Sequence, residues 1–333
     1  MLGRLIRTTA ALSLAASVAF GAQGVMFNVT QGDADEHYNK MINSKIGSVG
    51  FVLSDPHERI NDAYEKKYGT KTLEDGKVNP GYDPEWKKQL DNLGFFSIAN
   101  DKKLRPLLIK APELGGFSPF NLHIYKNISE NKTYVGHVMP ETMLDIVGVK
   151  DEGIRKDFIA MFPPLDALVQ KEIGGKVEVS EYKTLPANPM MTFEIEFDRP
   201  DDLSEYIDEF QSEFEAAFEE KQYIIAGYKN FKEVYEDAEL DFEEYDAYYV
   251  YSLCHFSFSY GIFNKGRPDA GTFAPCSMYM YVKEGTNKLV IGMPRLANWV
   301  SVLNIKDAAM QKSVTDLDKE IVGIMLSLGA KEI

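Results

Sequence analysis

The chain writes one phrase twice. Residues 112–136 (PELGGFSPFNLHIYKNISENKTYVG) align without a gap on residues 268–292 (PDAGTFAPCSMYMYVKEGTNKLVIG), and eight of the 25 positions are identical. They are Pro112/Pro268, Gly115/Gly271, Phe117/Phe273, Pro119/Pro275, Tyr125/Tyr281, Asn131/Asn287, Lys132/Lys288 and Gly136/Gly292. Unrelated segments of ordinary composition would share about one or two. The same offset of 156 returns at Lys150-Asp151 and Lys306-Asp307, and again at Lys156 and Lys312. Met139-Pro140 matches Met293-Pro294 after a two-residue slip. A duplication of this extent obliges the chain to fold as two related units.

Each copy reads in the same order. The first opens on an apolar run, Lys45 to Leu53, of strand composition. Ser54 and Pro56 then predict a helix start, with an apolar stripe at Ile60, Ala63, Tyr64 and Tyr68. The second opens on MMTFEIEF from Met190, where Phe193, Ile195 and Phe197 keep the strand period of two. Leu203, Tyr206, Ile207, Phe210, Phe214, Ala217 and Phe218 follow on one helical face. A further strand comes next in each copy, GFFSIA from Gly94 and YIIAGY from Tyr223, and the duplicated block then reads as a hairpin. Closing helices are expected near Glu152 to Ile173 and Asp307 to Leu328. The fold class is therefore α+β: two tandem two-layer α/β sandwich repeats, each a mainly antiparallel sheet covered on one face by two helices. The expected divisions are 1–22, signal peptide; 36–174, first repeat; 175–189, linker; and 190–330, second repeat.

The copies differ in their insertions. Residues 67–89 of the first have loop composition, whereas the second carries its extra length between Asn230 and Pro268. That stretch is acidic from Glu233 to Asp246, where a solvated loop is expected, because calcium-ligand spacing is lacking. It is then aromatic, with Tyr248, Tyr249, Tyr251, Phe256, Phe258, Tyr260 and Phe263 as either sheet core or the lining of a groove.

The N-terminus carries Arg4 and Arg7, then a short apolar run from Thr8 to Ala22, then polar sequence from Gln23. This is the order of a secretory signal peptide, with cleavage after Ala19, Gly21 or Gly24, and it implies an exported, periplasmic protein. The alternative is an uncleaved N-terminal anchor, although the run falls short of the roughly 20 residues that a span needs. No stable membrane span is expected once the signal is removed. A net charge of −15 repels phosphate backbones, so nucleic acid is a poor candidate partner. A small molecule or a protein remains the candidate partner, with the chain a monomeric pseudo-dimer or a weak homo-oligomer.

Both cysteines, Cys254 and Cys276, belong to the second copy, and Phe120 stands where Cys276 would fall in the first. In an oxidising compartment a Cys254–Cys276 disulfide is the leading reading, worth about 3 kcal/mol in the chain-entropy view. Two thiolates with His255 would suit a soft metal such as zinc or copper(I), but neighbouring strand residues point to opposite faces, so no metal or other cofactor is favoured. A redox pair of thiols and two buried free thiols are the other options. His37, His57, His123 and His137 show no metal spacing; for His123 and His137, on strands expected to pair, core or surface positions are the leading reading and a facing pair is the alternative. No residue is assigned a catalytic role.

The segment CHFSFSYGIFNKGRPDAGTFAPCSMYMYV, from Cys254 to Val282, resembles the domain of unknown function 302 family of bacterial proteins. Cys254 matches that family's first cysteine, Gly271 its glycine and Pro275-Cys276 its Pro-Cys pair, whereas His255 and Phe256 depart from its usual Asn-Pro. The resemblance covers most of 190–330 and, more weakly, 45–175. It implies a compact α+β fold whose single-domain members pair, so that a tandem chain would be its own pseudo-dimer. It carries no activity. Two functions are open: an exported binding or accessory protein with a ligand between the copies, or a thiol-based redox or metal-binding protein acting through Cys254 and Cys276.

Overall fold

The computed structural model describes residues 21–54 and 60–333. Two six-stranded sheets, antiparallel at every pairing, make the framework. The first contains β1 (Ala22–Gln31), β2 (Val52–Leu53), β3 (Leu90–Ala99), β4 (Phe120–Asn127), β5 (Lys132–Val138) and β6 (Lys176–Tyr182), in the order β2-β3-β4-β5-β1-β6. The second contains β7 (Met190–Glu196), β8 (Tyr223–Asn230), β9 (Tyr245–His255), β10 (Cys276–Lys283), β11 (Lys288–Pro294) and β12 (Lys331–Glu332), in the order β8-β9-β10-β11-β7-β12. Taken in chain order, the two arrangements are identical, so the duplication is one of topology as well as of sequence.

Helices α1 (Asp35–Ser44), α2 (Ile60–Tyr64), α3 (Asp101–Leu108), α4 (Pro140–Val147), α5 (Glu152–Ile159) and α6 (Phe162–Ile173) belong to the first copy. The second has α7 (Leu203–Glu220), α8 (Phe231–Asp237), α9 (Phe256–Asn264), α10 (Ala297–Val302) and α11 (Ala308–Ser327). The expected apolar face of α7 is buried at Ile207, Phe210, Phe214 and Phe218, and Asp202 caps the helix by accepting from the Ser204 amide. The repeated Lys-Asp pair also proves to be a cap: Asp151 accepts from Ile154 N at 2.9 Å and Asp307 from Met310 N at 2.8 Å. The helix expected over 152–173 is two helices, because Pro163 and Pro164 suit the first turn of a new helix and not the interior of an old one.

Several boundaries differ from the sequence reading. Lys45 to Leu53 forms a 3-10 turn, Ile46–Val49, and only the two-residue β2, because Gly50 takes a left-handed conformation (φ 86°) that ends the turn. The start of the helix expected from Ser54 falls on residues 55–59, outside the described residues. The first-copy counterpart of β7 is β1, which lies ahead of the expected first repeat and begins at the last residue of the expected signal segment. The rest of that segment, residues 1–20, lies outside the described residues. GFFSIA belongs to β3 and corresponds to β9, not to YIIAGY of β8. Residues 176–182, read from composition as linker, pair with β1 as edge strand β6.

The repeated residues converge where the copies meet. The 3-10 turn Pro112–Phe117 packs on β10 of the second copy, and its counterpart Pro268–Phe273 packs on β4 of the first. Gly115 lies so close to the second copy that an added Cβ would come 2.6 Å from Tyr279 Cβ; an added Cβ at Gly271 would come 2.6 Å from His123 Nε2. Asn121 donates to Pro275 O at 3.0 Å, and Ser277 donates to Pro119 O at 3.2 Å. Phe117 meets Phe273 edge-on at 6.4 Å. Both prolines follow cis peptide bonds. The exchange is reciprocal, and the buried apolar residues form one continuous cluster through both copies.

The outlying matches serve each copy separately. Asn131 O accepts from Gly32 N at 2.7 Å, and Asn287 O accepts from Phe197 N at 3.1 Å, tying each hairpin turn to the end of the neighbouring strand. Gly136 and Gly292 leave room for the rings of Phe27 and Tyr279. Replacing Gly271 by Ala is expected to cost about 1–3 kcal/mol in urea unfolding, because His123 is walled in. Gly261→Ala, in open space on α9, is expected to be neutral or stabilising by up to about 1 kcal/mol. Equal effects of the two changes would contradict this packing.

Candidate functional site

The thiols sit at the adjoining ends of β9 and β10. The register sets Cys276 opposite Leu253, with Cys254 one residue further along. This offset is not the directly opposed pair that a cross-strand disulfide needs, and both cysteines are free thiols. Cys254 and Cys276 are thus not joined in this structure by the disulfide that the sequence suggested. Cys254 is buried and donates to Ser259 Oγ at 3.5 Å, and Tyr64 OH lies 2.5 Å from that same oxygen. Burial pushes the Cys254 thiol up to about 11. Cys276 is raised as well, first by burial and then by Cys254 and Asp318. Both are held in the neutral form, which is a poor nucleophile and a poor metal ligand.

His255 is engaged in capping α9: its Nδ1 accepts from Phe258 N at 3.3 Å. It lines a narrow apolar cavity of about 20 Å³ together with both cysteines, Tyr223, Phe258 and Trp299. That volume holds about one water molecule. Among the described residues, no group of three or more His, Cys, Asp or Glu is arranged to hold a metal.

The first copy explains why the thiols are dispensable to the architecture. Ala99 and Phe120 occupy the positions of Cys254 and Cys276, and Asn100 caps α3 as His255 caps α9. His123 and His137 do not face each other. His123 lies between Gly94 O (2.8 Å) and Pro268 O (2.7 Å), while His137 contacts Asp166 at 2.9 Å. Burial brings the His123 imidazole down to about 4. The aromatic run of the second copy is core and not groove: Tyr248, Tyr251, Tyr260 and Phe263 are buried, and Tyr248 donates to Pro112 O of the first copy at 2.5 Å. The acidic run is partly helical, in α8, and buries Tyr235 and Phe242.

A larger opening lies elsewhere, at the junction of the copies. It has a volume of about 420 Å³ and is lined by Phe27, Tyr125 and Tyr134 of the first sheet, Glu130, the β6 residues Glu178 to Ser180, and the second-copy loop Gly266 to Asp269. Its position is set by the same turn that packs on β4. Tyr125 and Tyr134 stack at 4.6 Å with planes 3° apart, and Phe27 stands edge-on to both. Ser180 Oγ accepts from Val25 N at 3.0 Å, beside a bulge in the β1–β6 ladder. Arg267 forms a two-pronged ion pair with Asp269, at 2.9 and 2.7 Å, and donates to Leu303 O at 2.6 Å.

Sequence reasoning missed this cleft. Its wall is the supposed linker, and Arg267 and Asp269 flank the repeated Pro268. The available signal was the divergence there: the first copy has Ala111 and Glu113 at the same offset. No helix among the described residues is long and apolar enough to cross a membrane.

Comparison with solved structures finds similarity to an uncharacterized conserved protein, DUF302, from Bacillus stearothermophilus. That is the family the cysteine-bearing segment resembles. The match has 19% identity and a TM-score of 0.34, and covers 41% of this chain and 96% of the other. No protein-family profile and no curated protein matches the chain. The fold assignment stands on the two sheets described above.

The thiol environment has a direct consequence. The folded chain is expected to react with Ellman's reagent at least tenfold more slowly than a small free thiol, and two thiols should titrate after unfolding without reductant. Rapid reaction of the folded protein, or no thiol after unfolding, would contradict it.

Proposed function

We propose that this is an exported binding or accessory protein, a monomeric pseudo-dimer that holds a small molecule in the cleft between its copies. The observation that carries the reading is the cleft itself. Ligand sites are commonly concave, apolar at the base and equipped with a few convergent polar groups, and they favour junctions between units. Here Phe27, Tyr125 and Tyr134 line the cleft together with charged residues from both copies, Glu130, Glu178, Arg267 and Asp269. The proposed export rests on the Arg4/Arg7 and Thr8 to Ala22 pattern, and a mature mass lacking about 20 N-terminal residues would support it.

The thiol-based alternative draws support from the cavity that Cys254, His255 and Cys276 share. Against it stand the raised thiols, the volume of about 20 Å³ and the capping role of His255.

Fragment soaking of crystals, or NMR with a mixed fragment set, tests the main reading. Hits are expected at Tyr125, Tyr134 and Arg267, and Glu178→Trp should block them without lowering the thermal midpoint by more than a few degrees. Hits confined to the thiol cavity would favour the alternative, and a cleft that takes no fragment would refute the proposal.

A further inference from the structure

We infer that the junction cleft selects an organic cation, with the ammonium group seated against Tyr134 and between the carboxylates of Glu130 and Glu178. This inference rests on the binding reading above and assigns the ligand class. Two independent features point to it: the ring faces and the charge balance.

Tyr125 and Tyr134 are stacked, and Phe27 braces both edge-on at 5.7 and 6.0 Å, so the base is a rigid aromatic surface. Tyr134 OH donates to Glu130 Oε2 at 2.9 Å, which fixes the ring beside a carboxylate. A cation over such a ring is attracted by the negative face of its π system, and aromatic cages for quaternary ammonium groups use the same physics.

The charge balance has the matching sign. Of the three carboxylates that line the cleft, Asp269 is paired with its one guanidinium, Arg267, which also donates to Leu303 O, and Glu130 and Glu178 remain. The lysines nearest the rim, Lys132 on Glu130 and Lys176 on Glu178, are exposed, with 42% and 81% of their side-chain surface accessible. Solvent and salt therefore weaken their screening of the carboxylates. The Tyr134 hydroxyl is held up to about 12, first by burial and then by Glu130 and Glu178. An anion would meet Glu130 and Glu178, whose only ion-pair partners here are the exposed Lys132 and Lys176. A bare calcium ion would need about six to eight converging oxygens, whereas these carboxylates line different walls around an aromatic base.

The two faces of the pseudo-dimer are unequal here. The β6 edge strand brings Glu178 to the wall of the cleft, whereas its counterpart β12 has only two residues. The first copy's Ala111 and Glu113 stand in place of Arg267 and Asp269, and the Glu113 charge acts on Tyr245, Tyr279 and Tyr281 of the second sheet. The sequence differences that break the symmetry of the duplication are thus the ones that build the cleft.

The test titrates the full chain with choline and with 3,3-dimethylbutan-1-ol, its uncharged isostere, following tyrosine ring resonances by NMR. Choline is expected to perturb Tyr134 and Tyr125 and to bind at least tenfold more tightly than the isostere. Glu178→Gln should weaken choline about threefold to fivefold, in keeping with loss of one partly screened charge. Tyr134→Phe should retain binding and Tyr134→Leu should lose it, with far-UV circular dichroism and thermal unfolding checking that each variant folds. Equal binding of the isostere, calcium binding that excludes choline, or silence with choline would overturn the cationic assignment. If choline is silent while neutral or anionic fragments still occupy the cleft, only the ligand class fails; if nothing of any charge enters, the binding reading fails with it.

Discussion

Everything in this molecule depends on a reciprocal steric exchange: each copy pushes a glycine-containing turn against the central strand of the other. Gly115 must be bare because the side chain of Tyr279 is there, and Gly271 must be bare because the imidazole of His123 is there. Each turn then hands its proline carbonyl to a polar side chain across the boundary, Pro275 to Asn121 and Pro119 to Ser277. A buried carbonyl left without a donor would cost about 1–3 kcal/mol, so each copy completes the other's hydrogen bonding as well as its packing. The eight matched positions persist because nearly all of them serve this boundary or the hairpin beneath it.

On this symmetric frame the copies have diverged in ways that tie them together further. Lys229 of β8 is buried, with 7% of its side chain exposed, and donates to both oxygens of Asp101 on α3 at 2.7 and 2.9 Å. Burial lowers the lysine and Asp101 opposes that shift, so each charge depends on the other. The insertion of the first copy lies over α9 of the second: Tyr68 stacks on Tyr260 at 3.7 Å, and Tyr260 donates to Asp83. Tyr68 and Trp86 of the insertion pack on Tyr64, whose hydroxyl meets Ser259, the acceptor of the Cys254 thiol. The buried Cys254 thus lies beneath first-copy residues, while the open cleft forms at the other meeting of the copies.

Much of this was legible in the sequence, and the illegible part has physical causes. The repeat announced two like units because identical turns demand identical bare or rigid residues, and the hairpin and α7 followed from period alone. β1 was hidden because its residues run straight on from an apolar leader-like segment and alternate weakly, with polar Gln23, Asn28 and Thr30 among the apolar positions. β6 was hidden because it is an edge strand: five of its seven positions face solvent or nearly so, and KVEVSEY reads as linker when no partner is visible. Missing these two strands displaced the alignment of β3 with β9, and so concealed that Ala99 answers Cys254. The cleft went unseen for the same reason, since its wall is β6 and its charged rim comes from residues far apart in the chain.

One buried apolar cluster runs through both copies, which makes them one cooperative body and not two domains on a string. The chain has two tryptophans, Trp86 in the first copy's insertion and Trp299 in the second copy's α10, so the single-tryptophan variants Trp86→Phe and Trp299→Phe each report on one half. Urea unfolding of both, followed by fluorescence, is predicted to give coincident midpoints and a slope appropriate to unfolding the whole chain. Two separated transitions, each with the slope of a half-sized unit, would contradict it.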